Sequence, residues 1–588
     1  MSHRLSSMLF LAVILGVMWQ GEVRAADAES DSSLVRHLPG GAVATAEISG
    51  LASIIERIET SEALKGYLNS PLYQEAIKTD PARKALAGKA ILEAQLGMNL
   101  WSIAKTYLGD RLVMGVYPPV GIHQPDGILV IRVKNAADLS KLLEKLTPLA
   151  AFAGDAVSIS DHAGGGKAFK SKDGNQVVVT DRWIVASKSS ELLSQTLTNL
   201  TTSHDSGLGS EASWKLMAQQ LGTQHAIQLC VNLTKVSQLL GKRVVPEKLD
   251  NPVVSLLYGG LLEYAAKSPY LGMTVDIGES GYSIQSAVAG KVSDLDDAHR
   301  ALVLDPAQPL LPMTLDVSER LGVFSFSRNF LKWYKAREQL LEGKLLPEFD
   351  KFETGLATFL PGKDFAEDVL PLLTGRVAIV SAPQDYSYLD GKPGVQLPAF
   401  GLVIELAKPS EGADILNLVA QTILTISNLE AAKQKRQLWV QSSESYHNVQ
   451  INFARYLQRP KGDQLATAYN FQPASTLIGN RFVLSSSLGL CRELIDAQQN
   501  KRLAETATAS PNGIPNVVQE LSPVVAAQLL EANAAVIHAK SIQNGKTAEQ
   551  SGRELEAVCT LLRRMTAIHF DTVQYADHMR LELSGGWK

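Results

Sequence analysis

Cysteine is scarce in this chain of 588 residues: Cys230, Cys491 and Cys559 are an odd number, with neither CxxC nor zinc-finger spacing. A disulfide framework is excluded, and the three read as buried thiols packed like small hydrophobes, with one disulfide as the alternative. An excess of one charge is missing as well. The formal net charge is −4 and the pI about 6.3, so nothing attracts a polyanion and no nucleic-acid partner is expected. Aromatics make up only 6%, and Trp101, Trp183, Trp214, Trp333 and Trp439 are scattered as core or rim residues rather than gathered into a stacking platform. Beyond the N-terminus, apolar runs such as FGLVIEL (400–406) are strand-sized, so no transmembrane span is expected once a leader is removed.

Complete catalytic and cofactor motifs are also missing, and no cofactor is expected. A phosphate loop ending in Gly545-Lys546-Thr547 fails because Lys540 stands where its first glycine is needed. Gly164-Gly165-Gly166-Lys167 lies between strand-like segments and reads as a hairpin tip. Ser102-Ile103-Ala104-Lys105 would put an amine one helical turn from a hydroxyl, but the partner motifs of the serine acylases are missing, so it reads as a helix face. The eleven histidines form no HExxH or HxxxH, and the neighbours His162–Asp161 and His204–Asp205 read as solvated loops.

What is present begins at the N-terminus. A weakly basic start, the uncharged run LSSMLFLAVILGVMW (5–19) and Val23-Arg24-Ala25 before Ala26 fit a signal peptide of residues 1–25, cut between Ala25 and Ala26. An uncleaved anchor is the alternative, but its apolar run is short for a span. The mature protein is therefore expected to be soluble and extracytoplasmic, periplasmic or secreted.

The rest is organised around a repeat. VVVTDRWIVAS (177–187) is written again as TLIGNRFVLSS (476–486), each a strand, a turn and a strand followed by a helical segment. Around these markers the same blocks come in the same order. YLGDRLVMGV is answered by LLTGRVAIV, with Arg111 opposite Arg376. GILVIRVKNAADLSKLLEKL is answered by FGLVIELAKPSEGADILNLV, and Arg182 stands opposite Arg481. The second copy is longer between its markers, and the extra chain is assigned to 423–448 and the strands after it. The reading is α+β: two tandem related modules, 26–300 and 301–588, each a largely antiparallel sheet with helices on one face. The seam falls in 292–312. The four arginines have two readings, bidentate binding of an anionic ligand or, favoured because they recur with the scaffold, a structural role at a strand entrance, pairing with a carboxylate or capping helix-end carbonyls.

Together the leader, LPGGAVATAEISGLASIIERI, LGDRLVMGV, the strand–helix block and VVVTDRWIVASKSSELL resemble a secreted bacterial family catalogued only as a domain of unknown function. The resemblance implies an extracytoplasmic location and carries no site residues. The function expected is that of a non-enzymatic binding or scaffold protein of the envelope, its partner an unknown envelope protein or ligand, held in one version at the seam. The alternatives are an envelope-acting hydrolase, which needs a pocket of mutually oriented titratable groups, and a carrier of an apolar ligand, which needs an enlarged cavity under the helices.

Overall fold

The computed structural model describes residues 33–499 and 513–588, apart from 61–67, 69–72, 74–76, 109, 120–124, 153–155, 164, 203–206 and 279. The leader, its cleavage site at Ala25 and Ala26, and the His204–Asp205 pair lie outside the described residues. The chain forms two compact units: 33–244 with 265–289, and 245–264 with 290–586.

The first unit is built on β1 (Ala44–Ser49), β2 (Arg111–Tyr117), β3 (Asp126–Arg132), β4 (Val157–Asp161), β5 (Lys167–Ser171), β6 (Gln176–Val179), β7 (Trp183–Ser187), β8 (Ile227–Asn232), β9 (Tyr270–Ile277) and β10 (Gly281–Ala289). Every pairing is antiparallel, in the order 4-5-6-7-3-2-1-8-9-10. The alternation along β3 shows how it is covered. Ile128 and Val130 join a core with Leu193 of α2 (Ser190–Thr201), whereas Leu129 and Ile131 point to the other face and meet Leu139 and Leu142 of α1 (Ala136–Phe152). Helices therefore cover both faces, not one: a period-2 strand that is apolar on both sides needs two covers.

The second unit comprises β11 (Gly322–Ser327), β12 (Leu373–Ala382), β13 (Asp390–Pro393), β14 (Ala399–Leu406), β15 (Trp439–Tyr446), β16 (Val449–Tyr456), β17 (Lys461–Leu465), β18 (Ala474–Ile478), β19 (Arg481–Ser485), β20 (Ile514–Leu521), β21 (Ile568–Gln574) and β22 (His578–Gly586). Its antiparallel sheet runs 15-16-18-19-14-12-11-20-21-22. Position by position this is the strand order of the first unit. Both marker segments are hairpins, β6–β7 and β18–β19, the second turning at Gly479 with φ 61°. One face packs on α4 (Leu488–Gln499) through Val403, Val483, Ile451, Leu490 and Leu494. The other lies under α3 (Pro409–Lys433). Residues 245–264 belong to this unit, where the buried Arg328 donates from Nε to Leu256 O (2.7 Å) and from Nη2 to Leu257 O (2.5 Å).

The extra length of the second unit is not confined to 423–448 and the strands behind it. The β12–β14 connection occupies 383–398 against 118–125 in the first unit, and the β16–β18 connection 457–473 against 172–175. Helix α3 has 25 residues against 17 in α1. β13 and β17, one from each long connection, pair in parallel and tie the two together.

The three cysteines are buried with free thiols. Burial pushes Cys230 and Cys491 up to about 12 and Cys559 upward, so none carries a thiolate at neutral pH.

Candidate functional site

The site lies under α3 and follows from how that helix is fixed. Its first turns pack on the sheet: Ala413 is buried with Leu406 and Phe482, and Leu416 lies against them. Its far end is held by Asn428, whose Oδ1 accepts from Trp439 N (2.8 Å) and whose Nδ2 donates to Trp439 O (2.9 Å). Between these anchors the helix stands off. Gly412, Ala413 and Ala431 are its buried residues, and none from 414 to 430 is buried.

The inner face carries small or polar residues, Asn417, Ala420 and Ser427, with Leu424 among them, at spacings of three and four. The bulky aliphatics Leu418, Ile426 and Leu429 are exposed instead, Leu429 at 61%. Leu416, Ile423 and Leu424 still face inward, so the helix is apolar on both sides, with its small and polar positions over the cavity. In length and composition α3 is also apolar enough to cross a membrane.

The space left is a cavity of about 420 Å³. Its floor is a straight cross-strand row, Ile379–Leu402–Leu484–Ser475–Asn452, set by the registers of β12, β14, β19, β18 and β16. Ile379 and Phe400 are 39% and 45% exposed, so the cavity communicates with solvent there. Phe471 and Pro473 close another side. They are positioned by Asn470, a fully buried residue that binds both long connections. Its Oδ1 accepts from Tyr386 OH (2.7 Å) and Leu397 N (2.9 Å), and its Nδ2 donates to Val395 O (2.8 Å) and Thr467 O (2.9 Å).

Among the described residues that line this cavity there is no Asp, Glu, His, Cys, Lys, Arg or Tyr. Among its polar groups Ser475 Oγ donates to Asn417 Oδ1 (3.1 Å) and Ser485 Oγ to Ser487 O (2.8 Å), whereas the buried Trp439 Nε1 has no acceptor among the described residues. Such a wall can desolvate and orient a ligand but supplies no general acid or base. A titratable group does occur elsewhere in the second unit, where His299 lies 2.9 Å from Asp296 and 3.7 Å from Glu263. The space beside it is about 10 Å³, room for one water.

The marker arginines sit outside the cavity. Arg376 Nη1 pairs with Glu405 Oε1 at 2.9 Å in a buried site, where Thr374 Oγ1 also donates to Glu405 Oε2 (3.0 Å). Arg111 pairs with Glu47 at 3.4 Å. Arg481 is buried and donates to Gln498 Oε1 (2.9 Å), whereas Arg182 is exposed at its turn. Sequence reasoning noted Trp439 but missed the cavity. The available signal was the run of small and polar residues on one face of an otherwise aliphatic helix.

No family model and no curated protein matches this sequence. Among solved structures the chain is weakly similar to crystal form III of TP0453, with a TM-score of 0.23 and 10% identity over 44% of this chain and 80% of that one. Crystal form IV of TP0453 gives 0.23 and 11%, over 44% and 82%. Likeness at this level assigns neither fold nor function.

Proposed function

We propose that this is an exported, non-enzymatic binding protein that holds an elongated apolar molecule under α3. The single observation that carries this reading is an apolar cavity with no titratable lining beneath a helix that spans it like an arch. Its volume of about 420 Å³ falls in the ~300–1,000 Å³ range of small-molecule sites. Each methylene buried there contributes about 0.8 kcal/mol, so a long chain gains affinity without polar contacts. The shared strand order of the two units supports reading the chain as two copies of one module, the second adapted for binding by three added segments. The leader supports an extracytoplasmic location, where a poorly soluble ligand needs a carrier.

The test uses a neutral apolar fluorophore, phenylnaphthylamine, and the variant Ala420→Trp, which fills the arch from above. The wild type is expected to bind the probe saturably and the variant to lose binding while melting at the same temperature. Equal binding by both, or none by the wild type, would sink the reading.

A further inference from the structure

A second space lies on the other side of Trp439. Ser427, Trp439 and Phe471 also line a second chamber of about 280 Å³, so the two spaces lie side by side with these three residues between them. The second chamber differs in kind. Its wall holds Tyr456 and Tyr469, with ring centroids 5.0 Å apart, and the charged groups Arg436 and Glu430.

These two charges are not equivalent. Glu430 is engaged by its own helix: it lies 3.4 Å from Lys433 Nζ, and Gln434 Nε2 donates to its Oε1 at 2.9 Å. Arg436 is acted on by Glu430 only through space and has no hydrogen-bonded acid of its own among the described residues. Its Nε is buried without a hydrogen-bond acceptor, and no carboxylate lies within ion-pairing distance of its guanidinium among the described residues. A guanidinium N–H held out of water and left unmet is costly, and the natural remedy is an anionic oxygen. Lys433 and Lys435 adjoin it in the chain, so positive charge prevails at this end.

We propose that the bound molecule is an anionic amphiphile whose chain lies under α3 and whose carboxylate or phosphate head enters the second chamber to meet Arg436. This rests on the apolar-ligand reading and adds the head group to it. An apolar cavity beside a cation with one buried, unmet N–H discriminates by head charge. A neutral chain would fill the cavity and leave Arg436 Nε without an acceptor.

Competition against the same fluorophore separates the two ideas, with hexadecanoate, hexadecyl phosphate and hexadecanol as probes. On the wild type both anions are expected to displace it at concentrations about tenfold or more below that of hexadecanol, the effect of a charge-assisted hydrogen bond. Arg436→Gln should erase that preference and leave hexadecanol unchanged, and Arg436→Lys should keep part of it. Hexadecanoate stronger than the phosphate would point to a free fatty acid as the source, and the reverse to a phospholipid head. Should hexadecanol compete as well as the anions, or Arg436→Gln weaken all three alike, the head-group assignment is overturned and the apolar site stands. If no probe competes, the apolar site itself fails. The wild-type comparison decides even if the glutamine variant does not fold.

Discussion

At the scale of single residues, the buried polar groups of the second unit do the most specific work. Asn470 satisfies both donors and both acceptor positions against two separate connections, so its amide holds together the wall that carries Phe471. Asn470→Ala strands several buried partners at about 1–3 kcal/mol each. The expected result is a lower urea midpoint together with weaker probe binding; an unchanged midpoint would show that the connections are held otherwise. A second residue sets a pH limit. His578 stacks on Tyr575 at 4.2 Å, lies 2.7 Å from Asp577 through Nδ1 and accepts from Arg580 Nε at Nε2 (2.9 Å), so it is held neutral. Burial, the largest cause, lowers its pKa. His37 of the first unit is held alike, between Asn199 O and Arg36 Nε, and its pKa is also lowered by burial. Below pH of about 6.5 the unfolded chain takes up protons that these rings refuse. Their stabilisation is therefore whole at neutral pH and is lost as pH falls from there towards the lower folded-state values, at up to about 1.4 kcal/mol per pH unit for each proton. Stability measured by urea at pH 5 and pH 7 should differ less in His578→Gln than in the wild type.

At the scale of elements, α3 is held at its ends and bridges an unfilled space. The amide pair between Asn428 and Trp439 is its only described hydrogen-bonded tie at the far end to β15, so Asn428→Ala should free the last turns. Hydrogen exchange is expected to rise in 420–433 while α4 stays protected, and probe binding should weaken. Exchange confined to wild-type levels would mean that packing alone holds the arch. The same helix marks how far the sequence could be read. Both hairpins, the strand–helix order and the antiparallel α+β character were legible, because turn residues and period-2 alternation are local signals. The double-sided helix cover was not, since strands such as VVVT give an apolar run without saying what lies on each side. The cavity was hidden for a related reason. Leu418, Ile426 and Leu429 make α3 read as an ordinary core helix, and only its two anchors decide that these side chains face outward.

At the scale of the whole chain, two sheets of one strand order differ in what fills the space under the helix after their third and fourteenth strands. In the first unit Leu139 and Leu142 of α1 are buried against the sheet and Leu143 and Leu146 pack beside them, so the position is occupied by the protein's own side chains. In the second, Asn417, Ala420 and Ser427 leave the space open, and the longer helix and the two tied connections wall it. A common frame thus gives a packed core in one unit and an open cavity in the other, and the difference comes from side-chain volume and inserted chain rather than topology. The consequence is a stoichiometry. Native mass spectrometry with the fluorophore or hexadecanoate should find one ligand per chain, removed by Ala420→Trp. Leu142→Ala, which costs about 2–5 kcal/mol as a large-to-small core change, should lower stability without abolishing that ligand. Two ligands per chain in the wild type would mean that the first unit opens too, and that the packed state of α1 is not what distinguishes the two.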